Sequence, residues 1–334
     1  MAIVANTATT YTGATIREDL SDVIYNIAPM DTPFLSGCSK GKAESTLFEW
    51  QIDTIVAGSA NRHLEGDDSP APRDTSGEQP TKLTNYTQIS RAVNMTSGTD
   101  EVVNYAGRGK AQAYMLAKAG KRMKRDMEFM LTNNIVKAAG STTGARATAG
   151  LPSWLNTGWV NGGSGGSPAA GSLGTTAMVL AGANVAASEA NIKAVIKACF
   201  DAGGQPDMIL VPSAVKQTIS GLASVGSGTT SLGVPPRHNV GNGPATAVAA
   251  VDVYVSDFGT FKIVPDRNLA TDGVGSVAAN AFFLDMDFWA INWLRPWHTE
   301  TMAKTGDSIK QMLIAEYGLV SRNEKSSGLL ANVK

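Results

Sequence analysis

Hydrophobic positions change period several times along the 334 residues. Leu20, Val23, Ile24 and Ile27 fall at helical spacing and predict a short helix within residues 17–27. Pro29 and Pro33 then stop regular structure. Residues 1–44 therefore read as an arm that lies on something rather than as a layer of the core. From Thr46 to Asp53 the pattern alternates: Phe48, Trp50 and Ile52 on one face, Glu49, Gln51 and Asp53 on the other. That is a half-buried strand. Residues 86–95, with Ile89, Val93 and Met95 on one face, predict its partner strand. The stretch between them contains Gly58, Gly66, Pro70, Pro72, Gly77 and Pro80. A loop of that length is uncommon in a compact domain and usually functional. The unit reads as a long two-stranded ribbon. An isolated ribbon is marginal in water, so it is expected to rest on a partner.

Met115, Ala119, Met123, Met127 and Leu131 recur every fourth residue and predict one long helix over residues 99–139. Thr99, Asp100 and Glu101 would open it and Gly140 would close it. Residues 140–187, rich in Gly, Ser, Ala and Thr, read as a loop region between two bodies, with Trp154 and Trp159 embedded in it. A second helix opens at Ser188, with Ile192, Val195, Ile196 and Cys199 on one face, and ends at Gly203 and Gly204. A buried strand follows at 208–211, then a helix from Ser213 to Gly221, then a loop to Ala247. Strands are predicted at 248–256, 260–264, 281–284, 289–294, 299–303 and 311–322. The whole is an α+β protein with a compact α/β part.

Composition narrows the function. The formal net charge is -1, which excludes a strongly basic nucleic-acid coat and an acidic tail protein. Charged residues are 17%, against about 25% in an average globular protein. So low a charge fraction points to surface covered by other subunits, or to a surface rich in Gly, Ser and Thr. Cys38 and Cys199 stand alone and imply neither a disulfide framework nor a zinc knuckle. The first residues lack a basic segment before an apolar run, so no signal peptide is expected. No apolar run reaches the ~18 residues of a membrane span.

Candidate chemistry is thin. His63, His238 and His298 have no partner at helical spacing. The GxSxG match at 162–166 lies in a Gly/Ser run without the strand–turn–helix that strains a nucleophile into place. The glycines at 273 and 275 imitate a dinucleotide fingerprint without its acidic residue further on. Asp285 and Asp287 would share one face of a strand and could hold a metal or share a proton. A metal-dependent hydrolase built on that pair or on a histidine is the rival from a different class. No catalytic, cofactor-binding or metal residue is assigned, and no cofactor is expected.

The chain order is arm, ribbon, long basic helix, α/β body and returning strands. It resembles the major capsid proteins of tailed bacteriophages, with the Hong Kong 97-type fold. The closing motifs carry the resemblance best: Trp293–Trp297 (WLRPW), Met302–Ser308 (MAKTGDS), Ala315–Leu319 (AEYGL) and Arg322–Lys325 (RNEK). Phe258–Lys262 and Pro265–Arg267 are similar to the strand before them, and Tyr11–Gly13, Ile16–Leu20 and Ala28–Pro33 to the family's N-terminal arm. The resemblance implies an arm at 1–44 and an extended β-ribbon loop at 45–98. It implies a peripheral domain with a spine helix at 99–186 and an axial domain at 187–280. Strands at 281–334 would return to the peripheral domain. It implies self-assembly as hexamers and pentamers into an icosahedral head around double-stranded DNA, in the virion, after assembly in the host cytoplasm. Partners would be further copies of the chain, a portal and a separate scaffolding protein, since no fused scaffolding segment precedes the arm. A decoration protein is a further candidate. The shell of a bacterial nanocompartment, which has the same fold, is the alternative. The loop tip offers no lysine for an isopeptide crosslink, so non-covalent contacts are expected.

Charge supplies a candidate contact. The loop tip carries Glu65, Asp67, Asp68, Asp74 and Glu78 against Arg62 and Arg73. The helix carries Lys118, Lys121, Arg122, Lys124 and Arg125. The tip of one subunit would lie over the helix of its neighbour, steering register more than supplying affinity. Phe48, Trp50, Trp154 and Trp159 would anchor the contact by buried area. The bland reading of the basic run is a solvated helix face.

Overall fold

The computed structural model describes residues 31–53, 79–106, 109–162, 167–180, 187–224, 252–269 and 277–333, with a few isolated residues between them. Of the expected arm at 1–44, residues 31–44 fall within this set, and they belong to the body rather than lying on it: Phe34 and Cys38 are buried in the core, and residues 39–42 pair with residues 290–293.

The helices are α1 (Pro33–Gly37), α2 (Ala111–Thr132), α3 (Leu151–Trp154), α4 (Glu189–Asp201) and α5 (Ser213–Ser224). The first strands are β1 (Ser39–Lys42), β2 (Leu47–Ile52), β3 (Thr81–Tyr86), β4 (Gln88–Ser97), β5 (Gly158–Asn161) and β6 (Met208–Val211). Two residues each make up β7 (His238–Asn239), β8 (Thr246–Ala247) and β11 (Asp272–Gly273). The rest are β9 (Val253–Ser256), β10 (Gly259–Pro265), β12 (Val277–Leu284), β13 (Trp289–Thr301), β14 (Ser308–Ser321) and β15 (Gly328–Val333).

Two sheets organise the molecule. One has the order β1-β13-β14-β4 and carries α2 on one face. The other runs β5-β15-β12-β6-β10-β9, with β11 beside β12. Strand alternation gives the second sheet two buried faces. Ile209, Val211, Phe283 and Leu330 pack on the α4 and α5 side with Val195, Cys199 and Val215. Their neighbours Leu210, Phe282, Leu284 and Leu329 turn the other way, into the core shared with Met123, Met127, Leu131, Trp154 and Trp289.

Several expectations are corrected. The ribbon's second strand is β3, paired with β2 in the register Phe48–Asn85 and Trp50–Leu83. Residues 88–97 instead form the edge strand of the first sheet, paired with β14 along their whole length. Two strands of that length fit ten ladder positions, which outweighs the short ribbon. The long helix starts at Ala111, not Thr99, and ends at Thr132, not Ala139. Gly109 adopts the left-handed conformation (φ 58°) and interrupts any continuous helix there. At the other end the Asn134 side chain trades two hydrogen bonds with the backbone of Met178, drawing the chain into an extended path. Gly140 belongs to a later turn, with φ 78°. Pro33 opens α1 rather than stopping structure, being at its first position. The 140–187 region is not a bare loop: Trp154 is fully buried and β5 joins the second sheet. The final helix of the α/β part runs to Ser224 rather than to Gly221. The 281–334 stretch is divided: β13 and β14 lie in the first sheet, β12 and β15 in the second.

Candidate assembly surface

Helix α2 is held from outside its own sequence. Asp100, buried, accepts hydrogen bonds from the N–H groups of Ala111 at 3.2 Å and Gln112 at 3.1 Å. It caps the helix from eleven residues upstream and places a carboxylate at the positive end of the dipole. The apolar stripe of Ala119, Met123, Met127 and Leu131 faces inward, while Met115 is partly exposed. That rotation leaves Lys118, Lys121, Arg122, Lys124 and Arg125 all on the outside. Arg122 pairs with Asp126 one turn on at 3.7 Å, and Arg125 donates to Asn268 Oδ1 at 3.2 Å. Lys118, Lys121 and Lys124 form no ion pair among the described residues. They present the strongest uncompensated charge on the helix.

The ribbon root is tied to its own body. Trp50 is half-buried, stacks on Phe48 at 5.8 Å and meets Trp154 at 5.5 Å. Its Nε1–H donates to the Ser321 carbonyl at 2.8 Å. Asn85 is fully buried; its Nδ2 donates to the Leu319 carbonyl and Thr148 Oγ1, and its Oδ1 accepts from Ala149 N–H. Trp154 is sealed in the core, so it cannot anchor another subunit. Of the acidic tip, Glu65 is described and exposed, in a turn with Gly66. Asp67, Asp68 and Asp74 lie outside the described residues.

One surface runs against the sequence pattern. On β4 the apolar residues point outward: Ile89, Val93 and Met95 are 46%, 52% and 61% exposed. The small and polar set Ser90, Ala92, Asn94 and Thr96 faces α2, where Thr96 donates to Gln112 Oε1. Met312 pairs with Val93 and is half-buried, while Ile314, paired with Arg91, is buried. An exposed apolar row on an edge strand marks a place where another chain is expected to sit. Alternation showed the row; it could not show which side faced the core.

A charged hub fixes the corner where the ribbon meets this sheet. Glu316 is 3% exposed, yet it accepts from Thr87 Oγ1 at 2.7 Å, Arg146 Nη2 at 2.6 Å and Arg295 Nε at 2.8 Å. Two guanidinium groups and a hydroxyl satisfy the buried carboxylate.

The candidates for catalysis disperse. Asp285 and Asp287 do not lie on a strand face. Asp285 caps a short helical turn, its Oδ1 accepting from the Asp287 N–H. His298 is half-buried on β13 and its Nε2 lies 3.2 Å from Glu300 Oε1. The GxSxG run is largely outside the described residues, as is His63. No cluster of three metal-ligating side chains occurs among the described residues. No described helix is long and apolar enough to cross a membrane.

A family model described as SU10 major capsid protein matches residues 3–334. The chain belongs to the SU10 major capsid protein family. This capsid protein is 28% identical over 337 residues to the major capsid protein of Escherichia phage Phieco32, which covers 91% of this chain and 90% of that one. The capsid asymmetric unit of Cyanophage A-1(L) superposes with a TM-score of 0.64 at 13% identity, over 98% and 99% of the two chains. The encapsulin of the holo-SrpI complex from Synechococcus elongatus PCC 7942 superposes at 0.58 and 9% identity, over 95% and 93%. The fold is the Hong Kong 97-type fold of phage capsids. This capsid protein is therefore a structural component of the virion shell that assembles with copies of itself.

Proposed function

We propose that the chain assembles as hexamers and pentamers into an icosahedral head enclosing double-stranded DNA, and that it has no catalytic activity of its own. The outward apolar row of β4 supports the assembly reading most directly, because such a row on an edge strand marks a surface that another chain covers. Assembly takes place in the host cytoplasm, with a separate scaffolding protein and a portal as partners and a decoration protein as a further candidate. The near-neutral net charge favours weak, sequence-independent proximity to DNA.

Within the shell, the residues before α1 act as an arm and the 45–87 ribbon extends over a neighbour. The α2-bearing sheet is the peripheral domain. Residues 187–280, with β5, β12 and β15, form the axial domain around the capsomer axes. The acidic tip with Glu65, Asp67, Asp68 and Asp74 docks on the neighbour's Lys118, Lys121, Arg122, Lys124 and Arg125. Trp50 serves this contact by holding the ribbon root rather than by touching the neighbour.

Negative-stain electron microscopy of the purified chain, with light-scattering mass, tests the reading. Rings, tubes or closed shells of 34.8 kDa units are expected. A monomer or small dimer unchanged by salt, crowding or co-expressed scaffold would overturn it. A nanocompartment shell is the second reading, supported by the likeness to an encapsulin. Nucleic acid inside particles formed during infection favours the phage head, and an enzyme cargo favours the compartment.

A further inference from the structure

The two sheets meet at a seam beside the root of the N-terminal segment. Phe34 of α1 is fully buried and meets Trp289 edge-on at 6.1 Å. The N–H groups of Phe34 and Leu35 donate to Glu128 Oε1 at 2.8 Å and Oε2 at 2.7 Å. Glu128 sits on α2 with no exposed surface. Across the seam, in the turn after β10, Asp266 is also buried. Its Oδ1 accepts from the Asn268 N–H at 2.8 Å. Its Oδ2 is buried and meets no donor of the ordinary N–H or O–H kind among the described residues. The side chain within hydrogen-bonding reach of the Asp266 carboxyl is that of Glu128. Two carboxylates cannot form a hydrogen bond; a carboxylate and a carboxylic acid can.

The charged groups around the pair do not neutralise it. Arg125 of α2 directs its Nε–H to Asn268 Oδ1. Arg267 contributes its backbone N–H. Asp31, whose carbonyl accepts from Asn268 Nδ2 at 2.7 Å, adds negative charge. Cys38 is buried, and burial together with Glu128 keeps its thiol neutral. Two carboxyls facing each other out of water without a cation cannot both ionise cheaply.

We propose that Glu128 and Asp266 share one proton, and that this proton latches α1 and α2 to the β10 turn across the seam between the two sheets. When it leaves, two buried negative charges face each other and the seam loosens beside the point where residues 1–30 join the body. Burial first, then the Asp266 charge and hydrogen bond, push the Glu128 carboxyl up to about 8 against its two backbone donors. Burial raises Asp266 as well. A folded value above the unfolded one means that the latch is fully present below the ordinary Glu range. It is lost as pH rises through about 8.

Amide exchange on the full-length chain, free and assembled, tests this. Corrected for intrinsic rates, protection of peptides spanning 31–37 and 265–269 should fall by up to about tenfold per pH unit between the ordinary Glu range and about 8, and level off above it. Asp266→Asn, whose amide can donate to an ionised Glu128, should abolish that dependence, as should Glu128→Gln. The same pH profile in wild type and in Asp266→Asn would overturn the proposal. Should both variants fail to fold, isotope-edited infrared spectra of the wild type decide. A protonated carboxyl band near neutral pH that vanishes on alkalinisation supports the latch, and its absence near neutral pH overturns it.

Discussion

The ring of Phe48 lies against Gly318 so closely that a β-carbon at 318 would stand 2.4 Å from Phe48 Cε1. It would also stand 3.0 Å from the Tyr86 carbonyl oxygen, which cannot swing away as a side chain can. The ribbon is thus seated on a gap in β14 that only glycine leaves. Gly318→Ala should destabilise the chain by about 1–3 kcal/mol, as overpacking does. Urea unfolding would measure the loss. Faster proteolytic cutting within residues 54–78 would show that the ribbon root is the part loosened.

Asp100 is the remote cap of α2, and removing it leaves two N–H groups without their acceptor. Asp100→Ala should cost about 1 kcal/mol. Amide exchange should accelerate in the first turn of α2 and stay unchanged near Leu131.

Glu316 offers a sharper test of charge burial. Breaking a fully buried pair costs about 3–5 kcal/mol. Arg295 is 45% exposed at its side chain and regains water, so Glu316→Gln should cost less, about 2–3 kcal/mol. Arg146→Met should cost less again, since Arg295 and Thr87 remain on the carboxylate. Equal losses for the two variants would contradict the hub.

Val93 and Met95 should matter to assembly rather than to folding. Val93→Lys and Met95→Glu place charge on a surface that is open in the single chain. Their melting temperatures should stay close to wild type while shells fail to form, as read by sedimentation and electron microscopy. Normal shells would mean that the β4 face is uncovered in the particle.

Reversing Asp67 and Asp68 to Lys tests the ribbon tip. Assembly should be impaired at low salt, with the folded monomer unaffected. Compensating reversal of Lys121 and Lys124 to Glu should restore part of it, because rim charges act through pairing.

Much of the fold was legible because local periodicity survives in the finished structure. The strand at 208–211, the Ser188-capped helix and its end at Gly203 are where the residue pattern puts them. These elements are decided by neighbours within a turn or two. The ribbon partner and the helix start were misplaced for the opposite reason. Leu83 faces Trp50, and Asp100 reaches Ala111, through contacts that spacing alone does not encode.

The sequence by itself determined the class of protein. Family motifs from the arm to Lys325, a low charge fraction and no assembled catalytic set were enough for that. Only the tertiary structure decided which side of β4 faces the core. Alternation defines two faces without ranking them, and the helix chose the small-residue face because it could approach closely there. It also decided that Glu128 and Asp266, far apart in the chain, stand together without a cation. A charge's environment is made of residues from several elements, so no reading along the chain can supply it.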